Sequence, residues 1–115
     1  MSRRVEIHVG EKFDTMAKRV AAAWKGAAAG QDVHERHVTF VSWEALAGVM
    51  TKKRYELLRH LHHHPAVSIA ALARAIGRDY KRVHEDVEVL AELGLIERAH
   101  GVSAPFDTIE ATIRL

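Results

Sequence analysis

The chain has 115 residues, 48% of them hydrophobic and 28% charged, which suits one globular domain with a real core and excludes a disordered chain. No window approaches 18 consecutive apolar residues and the N-terminus has no signal-peptide pattern, so we expect a cytoplasmic protein without a membrane span. The absence of cysteine excludes disulfides and thiolate metal sites. Because the net charge is only +2, any nucleic-acid surface must be a local basic patch.

The first 42 residues predict a strand, a helix and a second strand. In "RVEIHV" (4–9), apolar and polar residues alternate, as in a half-buried strand. Large apolar residues then recur at three- and four-residue steps from Phe13 to Ala27, which indicates a helix. "HVTFVSW" (37–43) is rich in β-branched and aromatic residues and indicates the second strand. We expect residues 1–42 to be a dimerisation segment, because a small DNA-binding module offers few other ways to form a dimer.

From residue 43 onward the pattern is helical and its helix ends are marked by capping residues. Gly77 stands where a helix commonly closes with a left-handed residue, and Pro65 ends the helix before it. The predicted helices are 43–50, 51–63, 68–76 and 79–93, with Ser42, Thr51, Ser68 and Asp79 as N-caps.

The last 21 residues predict a β-hairpin over 95–114, with two strand-like runs around a Gly/Ser/Pro-rich centre. Three helices followed by a hairpin are the element order of a winged helix-turn-helix. The predicted fold class is therefore α+β, with a winged helix-turn-helix over 43–115 and a strand-helix-strand extension before it.

The helix over 79–93 is the candidate DNA-contacting helix. If Val83, Val87 and Leu90 face the core, the outward face is basic in its first turn and acidic from Glu85 onward. A helix that approaches DNA by its N-terminal end has this polarity, because its macrodipole also favours phosphate there. We expect base contacts only from its first two turns.

The run "SIAALARAIGRDYKRVHEDVEVLAELGLIER" resembles the core of prokaryotic winged helix-turn-helix transcriptional regulators. With "SWEALAGVMTKKRYELLRHL" before it, the match is more specific: it resembles a family of antitoxin-like DNA-binding proteins and covers residues 40–115, most strongly 68–98. The resemblance implies a homodimer that binds double-stranded DNA, an operator near its own gene, and a toxin protein as a further partner.

By position, the resemblance implies three groups of DNA-binding residues. Ser68 would bind a phosphate, and Arg98 and His100 would serve the wing, whose loop "RAHGVSAP" carries little basic charge for deep minor-groove insertion. The contacting end of the helix would consist of Arg78, Tyr80, Lys81, Arg82 and His84.

Each of these assignments has an alternative. Arg78 to Arg82 can be a solvated helix start, Tyr80 can be partly core, and His84 can be a half-buried edge residue. The acidic remainder of the helix also fits a winged-helix module that binds proteins and not DNA.

Metal chemistry and catalysis find less support in the sequence. His60 and His64 have the i, i+4 spacing of a metal pair, but Pro65 ends the helix there and no Cys, Asp or Glu lies close in the sequence to complete a tetrahedral set. No nucleophile elbow, phosphate loop or paired carboxylates accompany the Ser, His and Asp residues, so we expect neither an enzyme nor a cofactor.

Overall fold

A computed structural model describes residues 3–10 and 35–115. Within these ranges the chain is an α+β protein with four helices and one three-stranded sheet. In chain order the elements are β1 (Arg4–Val9), β2 (Glu35–Phe40), α1 (Trp43–Val49), α2 (Lys52–His63), α3 (Ile69–Ile76), α4 (Tyr80–Glu92) and β3 (Thr108–Ile113). The helix predicted between Phe13 and Ala27 lies outside the described residues. None of the described helices is long and apolar enough to cross a membrane.

The chain divides into two compact units. The first contains Met1–Ala47 together with Thr108–Leu115, and therefore holds the sheet. The second contains Gly48–Asp107 and therefore holds α2, α3 and α4.

In the first unit, β1 is the central strand and pairs in parallel with both neighbours, in the order β2-β1-β3. The first predicted strand is thus confirmed over its whole length, whereas the second, predicted over 37–43, forms but runs from Glu35 to Phe40. Val5, Ile7 and Val9 are all buried on one face of β1, as the alternation predicted.

The predicted C-terminal hairpin over 95–114 is wrong. Its second run does form a strand, β3, but this strand pairs in parallel with β1. In that register Ile109, Ala111 and Ile113 lie beside Val5, Ile7 and Val9. Alternation identifies a strand and its apolar face, but any sheet with a matching apolar face can accept it.

In the second unit, the predicted helix ends are confirmed. The hydroxyl of Thr51 accepts a hydrogen bond from the Arg54 amide at 3.3 Å, and that of Ser68 accepts from the Ala71 amide at 3.0 Å. A carboxylate oxygen of Asp79 accepts from the Arg82 amide at 3.2 Å. Gly77 closes α3 in the left-handed conformation, with a φ of 65°. Each cap satisfies backbone donors that a helix terminus would otherwise leave unbonded.

The core of the second unit consists of one apolar side from each helix and the segment after α4. Its fully buried side chains include Leu57, Leu61, Leu72, Val83, Val87, Leu90 and Val102. Two antiparallel bridges follow α4: Glu97 pairs with Ser103, and Val102 pairs with Ala66, which precedes α3. This short β-structure, and not a long hairpin, stands where the sequence predicted a wing.

Gly101 lies in the tight connection between these bridges, where a side chain does not fit. Its φ is 92°, and a Cβ built on it would lie 2.4 Å from the Ala66 carbonyl oxygen. The backbone of Ala66 is fixed there by two hydrogen bonds with Val102, so it cannot easily withdraw.

We predict that Gly101→Ala lowers the free energy of unfolding by about 1–3 kcal/mol, since it combines a strained φ with a backbone clash. Urea unfolding followed by circular dichroism measures the change. Gly48→Ala is a matched control, because a Cβ there meets nothing within 4 Å. Equal stability of the Gly101→Ala and Gly48→Ala proteins would contradict the prediction.

Candidate nucleic-acid interface

The first turn of α4 presents two exposed cations. Lys81 and Arg82 follow the N-cap Asp79, while Val83 one residue later is fully buried and sets the helix rotation. Among the described residues, the side chains of Lys81 and Arg82 form no hydrogen bond or ion pair with any other group. They are therefore available to an external anion at a helix N-terminus, where the macrodipole favours negative charge.

These cations border an open groove between the start of α2 and the start of α4. Lys53 adds a third exposed cation, from the first turn of α2. The groove is lined by Thr51, Lys53, Arg54, Arg78, Asp79, Lys81, Arg82, Glu85 and Asp86. Its rim is therefore mainly basic, although three carboxylates lie within it.

The inner wall of the groove is an ion-pair cluster centred on Asp86. Its carboxylate accepts a hydrogen bond from Arg54 Nε at 3.0 Å and another from Arg78 Nη2 at 2.8 Å. All three side chains are largely buried, with exposed fractions of 19% for both arginines and 13% for Asp86. Charge-assisted hydrogen bonds of this kind are stronger than neutral ones, more so where water is excluded.

Arg54 extends this cluster to the end of α1. Its Nη1 donates to the carbonyl oxygen of Val49 at 2.9 Å and lies 3.5 Å from that of Gly48. The last carbonyls of a helix have no intrahelical partner, so a guanidinium satisfies them well. One cluster thus connects the end of α1, the start of α2, the turn before α4 and the second turn of α4.

The sequence analysis did not identify Arg54 and Asp86 as a pair. Asp86 stands between Val83 and Leu90, at spacings that place it beside the buried stripe of α4. A carboxylate beside a buried stripe requires a cationic partner, so the position of Asp86 alone could have predicted an ion pair. Which cation it would bind depended on the packing of α2 against α4.

Arg78 differs from Lys81 and Arg82 because its guanidinium is engaged within the protein. It is held by Asp86, and its Nη1 is buried without a hydrogen-bond partner among the described residues. The structure therefore brings Arg78 to the wall of the groove and not to its rim.

The other two candidate residues of α4 form a surface pair. Tyr80 is 52% exposed and belongs to the surface more than to the core. Its ring centroid lies 5.8 Å from that of His84, and His84 Nε2 lies 3.5 Å from Glu88 Oε1.

The three candidates outside this region have different environments. Ser68 is exposed, but its hydroxyl caps α3. Arg98 and His100 are both exposed in the connection between Glu97 and Ser103, so they occupy the tip of the short β-structure.

His60 and His64 lie close together, with ring centroids 5.2 Å apart. Within the described residues, however, no third metal-ligating side chain joins them. The neighbouring His62 has a structural contact: its Nδ1 lies 2.8 Å from the Ala104 carbonyl oxygen, in the segment after α4.

We predict that Asp86→Asn lowers the free energy of unfolding by about 1.5–3 kcal/mol, because two largely buried guanidinium groups lose a charged acceptor. Chemical denaturation measures this loss. Glu88→Gln is the matched control on the same helix, because the side chain of Glu88 is 58% exposed. If both variants unfolded at the wild-type denaturant concentration, the cluster would not have the structural role assigned to it.

Comparison with known proteins adds one positive finding. No curated protein sequence and no solved structure matches the chain significantly. The sequence model of one family, described as HVO_A0114, matches residues 49–111, more than half of the chain and nearly the whole of the second unit. The chain belongs to the HVO_A0114 family.

Proposed function

We propose that this chain is a sequence-specific DNA-binding transcriptional regulator that acts as a homodimer. The observation that carries the proposal is the first turn of α4, where the side chains of Lys81 and Arg82 are exposed and form no hydrogen bond or ion pair with other described residues. Cations kept free at a helix N-terminus are suited to phosphates and to the edges of bases.

The architecture of the second unit supports this role. The three helices α2, α3 and α4 are followed by a short antiparallel β-structure, which agrees with a winged helix-turn-helix that has a small wing. The wing is then the segment 97–103, with Arg98 and His100 at its tip. Because this connection is short, we propose that it contacts the DNA backbone and does not insert deeply into the minor groove.

The charge distribution of α4 limits how the helix approaches DNA. Glu85, Glu88 and Glu92 are all exposed on the later turns, where they would repel phosphates. A tilted approach, with the N-terminal end pointing into the major groove, keeps these carboxylates away from the backbone.

Individual roles follow from the environment of each side chain. Lys81 and Arg82 are assigned to base edges or nearby phosphates, and Lys53 to a phosphate across the groove. Arg78 is assigned to positioning, because Asp86 already holds its guanidinium. Tyr80 and His84 are assigned to the side of the contact surface, and Ser68 to a phosphate near the start of α3.

The homodimer is proposed because operators for such helices commonly have two symmetric half-sites. The first unit is its proposed contact region, now with β3 included: Ile109 and Ile113 are each 44% exposed on this outer strand. A toxin partner is implied only by the family resemblance of the sequence.

Adjacent lysines in α2 provide a matched test of the groove. Lys53 lines it, whereas Lys52 does not and its side chain is 88% exposed beside Glu56. We predict that Lys53→Ala, Lys81→Ala and Arg82→Ala weaken DNA binding, and that Lys52→Ala has little effect. Removal of a base-contacting cation should weaken DNA binding by about 1–3 kcal/mol. Removal of a phosphate-contacting cation should reduce the slope of log affinity against log salt concentration by about 1.

Fluorescence anisotropy with a DNA duplex across a salt series measures both quantities. Unchanged affinity and salt slope in the Lys81→Ala and Arg82→Ala proteins would overturn this assignment of the contact surface.

Selection of bound sequences from random duplex DNA tests the function itself. We predict a palindromic consensus whose half-site centres lie about one helical turn, 34–36 Å, or a multiple of it, apart. A consensus without symmetry would exclude the symmetric dimer. The absence of DNA binding even at low salt would favour the alternative, a winged-helix module that uses its acidic surface to bind proteins.

A further inference from the structure

The sheet of the first unit has a polar face that carries two histidines and three carboxylates, those of Glu6, Glu35 and Glu110. β1 places Arg4, Glu6 and His8 on the side opposite its buried valines and isoleucine. In the parallel register, Glu35 lies beside Arg4 and His37 lies beside Glu6. Since neighbouring strands are only about 4.8 Å apart, these side chains must meet.

Three of these side chains converge through one atom each. His8 Nε2 lies 3.1 Å from His37 Nδ1, and Glu6 Oε2 lies 3.6 Å from the former and 3.4 Å from the latter. The side chains are only 15% to 26% exposed, so the cluster is not a set of freely solvated groups.

This triangle has the dimensions of one face of a tetrahedral zinc site. With metal–ligand bonds of 2.0–2.1 Å, tetrahedral ligand atoms lie about 3.3 Å from one another. The three observed separations range from 3.1 to 3.6 Å around that value. Imidazole nitrogen and carboxylate oxygen are also common zinc ligands.

Glu35 and Arg4 contact two side chains of the triangle and orient them, as neighbouring hydrogen-bonding residues orient the ligands of metal sites. His37 directs its other nitrogen, Nε2, to Glu35 Oε2 at 3.5 Å, which gives a carboxylate–histidine pair behind the site. Glu6 directs its other oxygen, Oε1, to Arg4 Nη2 at 3.1 Å, so that Oε2 faces the imidazoles.

Arg4 also forms an ion pair with Glu35 and thereby joins the two outer contacts. The hydrogen bond with Glu35, reinforced by its charge, raises the pKa of Arg4 above an already high ordinary value. The guanidinium therefore stays charged beside both carboxylates.

We propose that Glu6, His8 and His37 form a site for a divalent transition-metal ion of the Zn²⁺ type, with water as the fourth ligand. A bound ion would connect β1 to β2 through their side chains, and it would stabilise the folded state because the unfolded chain lacks the preformed triangle. The site is independent of the proposed DNA contact, since all its residues belong to the first unit.

Isothermal titration of the tag-free 115-residue chain with ZnCl₂ tests the proposal. The expected result is one Zn²⁺ per chain, together with a higher melting temperature in the presence of the ion. Replacement of a ligand in His8→Gln or His37→Gln should weaken binding by more than the roughly 10–100-fold that loss of an outer group costs. Substitution of Co²⁺ should produce the visible absorption of a four-coordinate ion in the wild-type protein and not in these variants.

Glu6→Gln is the variant least able to disturb the fold, because it keeps the shape of the side chain and an oxygen for Arg4. It should also weaken binding. The control is the His60→Gln/His64→Gln double variant, since the histidine-rich end of α2 is the competing source of metal affinity. It should bind Zn²⁺ as the wild type does.

Three results would overturn the proposal. They are the absence of Zn²⁺ binding by the wild-type chain, wild-type affinity in all three ligand variants, and loss of binding in the His60/His64 double variant alone. Melting of each variant without metal separates loss of the site from loss of the fold.

Discussion

The carboxylate of Asp86, held between Arg54 and Arg78, is the interaction on which the second unit depends. It is largely buried, so removal of its partners would leave a charge that the core cannot accommodate. Its two hydrogen bonds join the turn before α4 to the start of α2, and Arg54 continues to the end of α1. Because these contacts hold the start of α4 against α2, they also place Lys81 and Arg82 on the rim of the groove. The fold and the proposed DNA contact therefore share one cluster.

The same cluster separates two kinds of arginine that look alike in the sequence. Arg78 lies in the turn before α4 and Arg82 lies in its first turn, and by sequence either could contact DNA. The guanidinium of Arg78 donates to Asp86 within the protein, whereas the guanidinium of Arg82 forms no hydrogen bond or ion pair with the described residues. A cation without an internal partner loses little on transfer to a phosphate, while one that must leave a buried carboxylate loses much. For this reason the proposal rests on Lys81 and Arg82.

Most local features of the second unit were predictable, because capping and apolar periodicity depend on neighbours within a few residues. Thr51, Ser68, Gly77 and Asp79 end or begin helices as predicted. The partner of β3 was not predictable, since the alternation of "TIEATI" is compatible with a hairpin and with a parallel strand beside β1. The Glu6–His8–His37 triangle was not predictable for a related reason. His8 and His37 are 29 residues apart, and only the register of β1 and β2 brings them together.

The sequence by itself determined where the described helices begin and end, which side of each is apolar, and that the start of α4 is basic. These properties follow from local hydrogen bonding and from the periodicity of side-chain directions, which each segment carries alone. Only the tertiary structure decided that β3 joins the N-terminal strand, that Arg78 is held by Asp86, and that two histidines and a glutamate converge. Each of these depends on the pairing of segments distant in the chain, where several partners satisfy the same local pattern and packing selects one.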